Sequence, residues 1–218
     1  MKSKAILSLS GGLDSTTLLY HLVKDLDRDV LAVSFEYGQN HSKEVEFAEY
    51  HCKALGVPLR RINLKDYYDN INHSSTLQNG SKAVSSGSYE GVPDTYVSYR
   101  NLLFTITLAS IAEEQGIDEI YLGLNRVDRF DGYWDTSEEF VAAVQAIFNL
   151  NPSTKAKLIT PFVNMTKANE VLIGSRLGID YSKTMSCYRG ENCGDCATCI
   201  ERIDAFAKAK VEDGIKYV

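Results

Sequence analysis

Residues 10–17 read SGGLDSTT and directly follow the apolar run AILSL. Lys4 to Leu9 has the length of a short buried strand, and Ser15 to Lys24 reads as a helix with Leu18, Leu19, Leu22 and Val23 on its apolar face. Two glycines between a strand and a helix permit positive φ and a close backbone approach, while the helix N-terminus offers free N–H groups and a positive dipole end. Ser10, Ser15 and Thr16 add hydroxyl donors, so the stretch suits a phosphate or pyrophosphate. It is neither a GxxxxGK[ST] loop, which needs a lysine absent here, nor a GxGxxG fingerprint. Asp14 would repel such an anion unless Mg²⁺ lay between them. A glycine turn with Asp14 capping the helix accounts for the same residues equally well.

The pattern of strand and helix continues along the chain. Asp29 to Phe35 reads as a second strand. Ser42 is placed to cap a helix carrying Val45, Ala48, Cys52 and Leu55 on one face, stopped by Gly56 and Pro58, and Leu59 to Leu64 reads as a third strand. A buried helix is expected at Asn101 to Glu114, a strand at Glu119 to Gly123, and a helix capped by Thr136 or Ser137 with Phe140, Val141, Val144 and Phe148 on one face. A last pair covers Leu158 to Thr160 and Lys167 to Leu177, ending at Gly178. This alternation predicts an α/β fold with an open, doubly wound parallel sheet. Between Asp69 and Asp94 periodicity is lost in a stretch longer than a routine connection, as in a lid or a disordered loop.

The chain has 23 basic and 29 acidic residues, a net charge of -6, which argues against a broad nucleic-acid footprint and for a small-molecule substrate. No apolar run approaches the ~20 residues that span a bilayer, and the first residues turn glycine-rich and acidic too soon for a signal peptide, so a cytoplasmic protein is expected. Cys187, Cys193, Cys196 and Cys199 form C-x5-C-x2-C-x2-C, with Gly190 and Gly194 allowing a tight fold around an ion. Four thiolates suit a closed, structural Zn²⁺ site; an iron–sulfur cluster uses the same ligands and is the alternative. Cys52 stands apart at helical spacing from Val45 and Ala48 and reads as a small buried hydrophobe.

SGGLDS resembles the SGGxDS signature of the PP-loop ATP pyrophosphatases, which cleave ATP between the α and β phosphates and transfer AMP to a substrate oxygen. More narrowly, the chain resembles the 7-cyano-7-deazaguanine synthases of that group. The likeness runs from SGGLDSTTLLY through YGQNHSKEVEFA at Tyr37 to Ala48, RNLLF at Arg100 to Phe104 and LGIDYSKTMSCYRG at Leu177 to Gly190, into the cysteine segment. Two stretches depart from it. The family reads VPGRN and GYPDCR, whereas this chain reads VSYRN at Val97 to Asn101 and GYWDTSEEF at Gly132 to Phe140.

The resemblance implies an adenine nucleotide alpha hydrolase-like domain over residues 1–180, with residues 181–218 a zinc-binding helical segment packed on it. It implies ATP-dependent conversion of 7-carboxy-7-deazaguanine and ammonia to the nitrile, through an acyl-adenylate and an amide. Leu9, Ser10, Gly11, Gly12, Leu13, Asp14, Ser15, Thr16 and Thr17 are then expected to hold ATP and Mg²⁺. Lys167 would stabilise departing pyrophosphate, Arg100 would meet a carboxylate or phosphate, and His41 would deprotonate ammonium. Tyr37, Gln39, Asn101, Asp128, Tyr133 and Trp134 would line the base pocket, Trp134 by stacking. A homodimer is expected, with ammonia drawn from solution or a partner. Competing readings are a member that stops at the amide or uses a related carboxylate, a PP-loop tRNA-modifying enzyme, and a nucleotide-binding module without turnover.

Overall fold

A computed structural model of the chain describes residues 2–39, 43–71, 74, 76, 77, 95–125 and 133–218. Five parallel strands, β1 (Lys4–Ser8), β2 (Asp29–Glu36), β3 (Leu59–Asn63), β4 (Glu119–Tyr121) and β5 (Lys157–Ile159), lie in the order β3-β2-β1-β4-β5. The order reverses between β1 and β4. Side chains alternate across the strands and give the sheet two apolar faces. Ile6, Val33 and Ile120 face a cluster with Leu108 and Val144, from α4 (Arg100–Gln115) and α5 (Glu138–Phe148). Ala5, Leu7, Ala32 and Tyr121 face Leu18, Leu22, Ala48 and Cys52, from α1 (Leu13–Tyr20), its π-helical continuation His21–Asp25, and α2 (Lys43–Leu55). A short α3 (Lys65–Asp69) follows β3.

Local chemistry sets several boundaries. Ser137 caps α5 by accepting from the Phe140 N–H, and Thr166 caps α6 (Lys167–Arg176) by accepting from Asn169 N–H. Gly56 and Gly178 take φ of 67° and 75° just past α2 and α6. The helix expected from Ser15 begins two residues earlier, at Leu13, because Gly12 provides the extended N-cap backbone. The helix expected to be buried, α4, is amphipathic instead: Phe104, Leu108 and Ala112 are buried while Ile106 is exposed. Burial pushes the Cys52 thiol up to about 12, so it stays protonated and inert.

The last helix, α7 (Ala197–Ala209), joins α1 and α6 in one apolar cluster containing Leu13, Tyr20, Val171, Tyr181 and Phe206. Tyr181 spans this layer, its hydroxyl 3.0 Å from Thr17 Oγ1. Gly174 is required beneath it, since a Cβ there would stand 1.9 Å from that hydroxyl. Arg202, 1% exposed, donates to Asp213 at 2.9–3.0 Å through Nε, to Thr184 Oγ1 at 2.8 Å and to the Tyr181 carbonyl at 2.8 Å. One buried guanidinium thereby ties α7 to the 3-10 turn Tyr181–Lys183 and the residues that follow it ahead of the cysteines.

His51, fully buried on α2, links α1 to that same segment. Its Nε2 donates to the Lys183 carbonyl at 2.9 Å, which fixes the tautomer and leaves Nδ1 to accept from Tyr20 Oη at 3.1 Å. Burial pulls the His51 pKa below the usual imidazole value, against the opposing pull of the Lys183 carbonyl. A depressed folded pKa means that this contribution to stability is complete above the unfolded value of about 6.5 and is lost as pH falls below it. Denaturant titrations should therefore show stability declining below about pH 6.5, and His51→Gln should flatten that decline while lowering stability at pH 8.

Candidate active site

A cleft opens at the carboxyl ends of β1 and β4, where the strand order reverses, the usual ligand position in an open parallel sheet. Ser8, Leu9, Ser10, Gly12, Leu13, Asp14 and Ser15 form its floor. Gly11 holds φ at 91°, and a Cβ on it would lie 2.0 Å from the Glu44 carbonyl oxygen, so only glycine lets α2 start against the loop. A Cβ on Gly12 would lie 3.2 Å from the Met185 carbonyl oxygen, and Met185 N–H donates to the Gly11 carbonyl at 3.1 Å. Gly123, past the end of β4, does the same for the start of α1: a Cβ there would be 3.1 Å from Ser15 N. The sequence marks Gly123 only as a strand end; a glycine at that position is also the signal of such a close approach.

The hydroxyls are ordered before any ligand arrives. Ser10 Oγ lies 3.0 Å from Ser15 Oγ and accepts from Gly12 N–H at 3.1 Å. Gly12, not Asp14, is the N-cap of α1, and no side chain caps that helix. Asp14 stands in the first turn with Oδ1 buried and, among the described residues, without a hydrogen-bond partner, and with Oδ2 4.0 Å from Lys167 Nζ. Lys167 also pairs with Glu201 of α7 at 2.7 Å. Thr16 is fully buried outside the cleft lining, and Thr17 donates to the Leu13 carbonyl at 2.9 Å beneath Tyr181.

The far wall is aromatic and carries one guanidinium. Phe35 and Phe104 stack at 4.0 Å, and Tyr37 meets Phe104 edge-on at 5.4 Å. Arg100 Nη1 donates to Tyr37 Oη at 3.4 Å. Burial opposes the Arg100 charge, but the oxygens of Tyr37, Tyr188, Asp135 and Tyr133 outweigh it and hold the pKa above the usual arginine range. Gln39 turns inward to close the chain after β2, its Oε1 accepting from Tyr37 N–H at 2.8 Å and its Nε2 donating to the Phe35 carbonyl at 3.1 Å. Asn101 N–H donates to Asp135 Oδ2 at 3.3 Å, so a buried carboxylate from a distant turn caps α4. Burial raises the Asp135 pKa, against Arg100 and the Asn101 N–H. Asp135 was not singled out from the sequence, and only its burial beside Arg100 reveals it.

The cysteine segment contributes to the cleft as well. Met185, Ser186, Tyr188 and Thr198 line it, and none of them was expected there. The four Sγ atoms of Cys187, Cys193, Cys196 and Cys199 lie within 4.8 Å of one another, with Cys187–Cys193 at 3.6 Å and Cys193–Cys199 at 4.0 Å. A tetrahedral ion with metal–sulfur bonds of about 2.3 Å requires sulfur–sulfur edges of about 3.8 Å, so these side chains fit one metal ion. Thr198 Oγ1 is 3.4 Å from Cys196 Sγ and joins the cluster to the cleft. His41 and Asp128 lie outside the described residues, as does the candidate cap Ser42.

Residues 4–210 match the profile of the family described as queuosine biosynthesis protein QueC. The chain is 39% identical to the 7-cyano-7-deazaguanine synthase of Caldicellulosiruptor saccharolyticus, over 98% of this chain and 95% of that one. It is 40% identical to the enzyme of the same name from Persephonella marina, over 97% and 95%. This chain belongs to the QueC family. Among solved structures, a U34-tRNA thiolase NcsA from Methanococcus maripaludis with a [4Fe-4S] cluster is similar at TM-score 0.56 and 17% identity, over 95% of this chain and 70% of that one. The NMN synthetase of Francisella tularensis is similar at TM-score 0.53 and 14% identity, over 97% and 78%. These two likenesses concern the fold.

The two departures from the QueC pattern meet in space. Tyr99 stands where the family motif has glycine and takes φ of 52°, the left-handed region that glycine occupies freely. Its ring contacts that of Trp134, which replaces the motif's proline, at 5.5 Å and 73°. Trp134 also meets Phe140 edge-on at 5.8 Å and donates from Nε1 to Tyr96 Oη at 3.0 Å. Trp134 is 44% exposed in this arrangement and is not among the described residues that line the cleft. Tyr133 does line it, anchored through its hydroxyl to Thr95. Trp134→Ala removes two edge-on aromatic contacts and a hydrogen bond. It should lower unfolding free energy by about 1–3 kcal/mol, read from chemical denaturation.

Proposed function

We propose that the cleft binds ATP with its pyrophosphate end on residues 10–16 and 7-carboxy-7-deazaguanine against the Phe104, Tyr37 and Arg100 wall. As a member of the QueC family the chain is an ATP-dependent ligase of queuosine biosynthesis, with a four-cysteine cluster that could hold a metal ion. The residue roles, the ions and the course of the reaction are the content of the proposal. A substrate carboxylate oxygen attacks the α-phosphorus of ATP and pyrophosphate leaves. Ammonia attacks the acyl carbon of the resulting adenylate, AMP leaves, and the product is the amide. The amide oxygen attacks the α-phosphorus of a second ATP and pyrophosphate leaves; AMP then departs with the amide oxygen as the nitrogen loses its protons, which leaves the nitrile. The protein's contribution is orientation and charge stabilisation.

The observation that carries this reading is the state of Asp14. The residue is not the helix cap, one carboxylate oxygen is buried with no partner among the described residues, and the other faces Lys167 beside the ordered hydroxyls of Ser10 and Ser15. Such an acid beside a phosphate-binding loop fits Mg²⁺, which would neutralise phosphate charge. Lys167 stabilises the departing pyrophosphate, and Arg100 orients the substrate carboxylate. Trp134 holds the Tyr133–Asp135 turn instead of stacking on the base. His41 as the base for ammonium and Asp128 as a contact to the substrate base rest on the family resemblance alone. The four thiolates suit Zn²⁺ in a closed shell that supplies folding free energy, and their reduced state accords with the cytoplasm.

Residues 181–218 are read as a segment that depends on residues 1–180, supported by the apolar cluster they share and by the Met185–Gly11 hydrogen bond. A homodimer is also part of the reading. It is supported by the exposed Tyr99 and Trp134 rings, 60% and 44% accessible, and sedimentation velocity tests it.

Mass spectrometry after incubation with 7-carboxy-7-deazaguanine, ATP, Mg²⁺ and ammonium should show the nitrile, with AMP and pyrophosphate; accumulation of the amide alone would refute the second step. Asp14→Asn should keep the melting temperature within about 3 °C and lower ATP cleavage at least about 100-fold. Turnover at the parent rate would return Asp14 to a structural role. Cys193→Ser should lose metal and melting temperature together, since a closed thiolate site contributes directly to folding.

A further inference from the structure

We infer that Glu201 is a positioning residue for the phosphate chemistry: it holds the Lys167 ammonium at the cleft and thereby makes the metal-anchored helix α7 part of the phosphate site. The inference rests on the reading of Lys167 as the residue that stabilises pyrophosphate.

Lys167 is the first residue of α6, directly after its N-cap Thr166. A cation there faces the positive end of the helix dipole, so the position works against an ammonium unless an acid compensates it. The side chain is also only 12% exposed, which removes most of its hydration. Among the described residues two carboxylates face it, Glu201 Oε2 at 2.7 Å and Asp14 Oδ2 at 4.0 Å. The nearer acid comes from α7 and the farther from the glycine loop. The ammonium therefore stands between the metal segment and the site where phosphate charge arrives.

Glu201 is itself held from both directions along its helix. Cys199, two residues earlier, is buried in the thiolate cluster, and Arg202, the next residue, is locked to Asp213, Thr184 and Tyr181. Thr198, three residues before Glu201 and so on the same helical face, lines the cleft. This rigidity is what a positioning group requires. With Glu201 neutralised, the ammonium loses its nearest described carboxylate and shifts toward Asp14 on the loop side. That pair must then be broken before either group can serve a cation or a phosphate.

The test is calorimetric titration of inorganic pyrophosphate with Mg²⁺ into the full chain, with metal content and melting temperature measured on each variant. Lys167→Met should weaken pyrophosphate binding about tenfold and Glu201→Gln about fivefold, with metal retained and the melting temperature within about 3 °C of the parent. In the Lys167→Met background, Glu201→Gln should change the affinity by less than about twofold, because its effect runs through the lysine. An equal loss from Glu201→Gln in both backgrounds, parent-like binding by Glu201→Gln alone, or loss of metal in that variant would each overturn the inference. Parent-like binding by Lys167→Met would remove the lysine's role first and the inference with it.

Discussion

The close approach of three chain segments at Gly11 and Gly12 is the constraint on which the rest of the structure depends. The start of α2, the segment at Met185 and the loop itself share a space in which a single Cβ would overlap backbone atoms. The Met185–Gly11 hydrogen bond fixes the distance between them. Because these contacts involve backbone, no rotamer change relieves a substitution. The anion site is shaped by packing from behind, by α2 and the cysteine segment, as much as by its own sequence. Gly123 repeats the device from the neighbouring strand, placing β4 against the first turn of α1.

This arrangement changes the meaning of the metal segment. The four clustered thiols fit one metal ion, and the segment that carries them gives direction to the cleft. Direction is passed on through α7: Thr198 reaches the cleft, Glu201 reaches Lys167, and Arg202 fixes the chain that carries Met185 and Ser186. Losing one partner of the buried Arg202–Asp213 pair would leave a charge stranded in the interior, at a cost of about 3–5 kcal/mol. The stability of the cysteine segment and the geometry of the phosphate site are therefore coupled.

The altered motifs have a similarly local logic. Tyr99 accepts a left-handed backbone that costs of order 1–3 kcal/mol for a residue other than glycine. Contact with Trp134 offsets part of that, since an edge-on aromatic pair is worth about 0.5–1.5 kcal/mol beyond burial. The aromatic clasp lies outside the cleft and holds the turn that carries Tyr133 and Asp135 next to Arg100 and Asn101. Two changes that read as unrelated departures along the chain are one contact in space.

By itself the sequence determined the features that depend on local order. These are the alternating strands and helices, the SGGLDSTT loop at a strand end, and the spacing of four cysteines around one ion. They were legible because hydrophobic period, glycine placement and ligand spacing act over a few residues. Tertiary structure alone decided which groups meet across long separations. Asp14 is not a cap because Gly12 takes that role, and Lys167 meets Glu201 only because α6 and α7 pack together. Thr17 Oγ1 meets Tyr181, Gln39 lines the cleft while bonding back to its own turn, and Asp135 accepts from the Asn101 N–H, 34 residues before it. None of these contacts leaves a periodic trace, because each is set by how buried surfaces fit and by which buried polar atoms find partners.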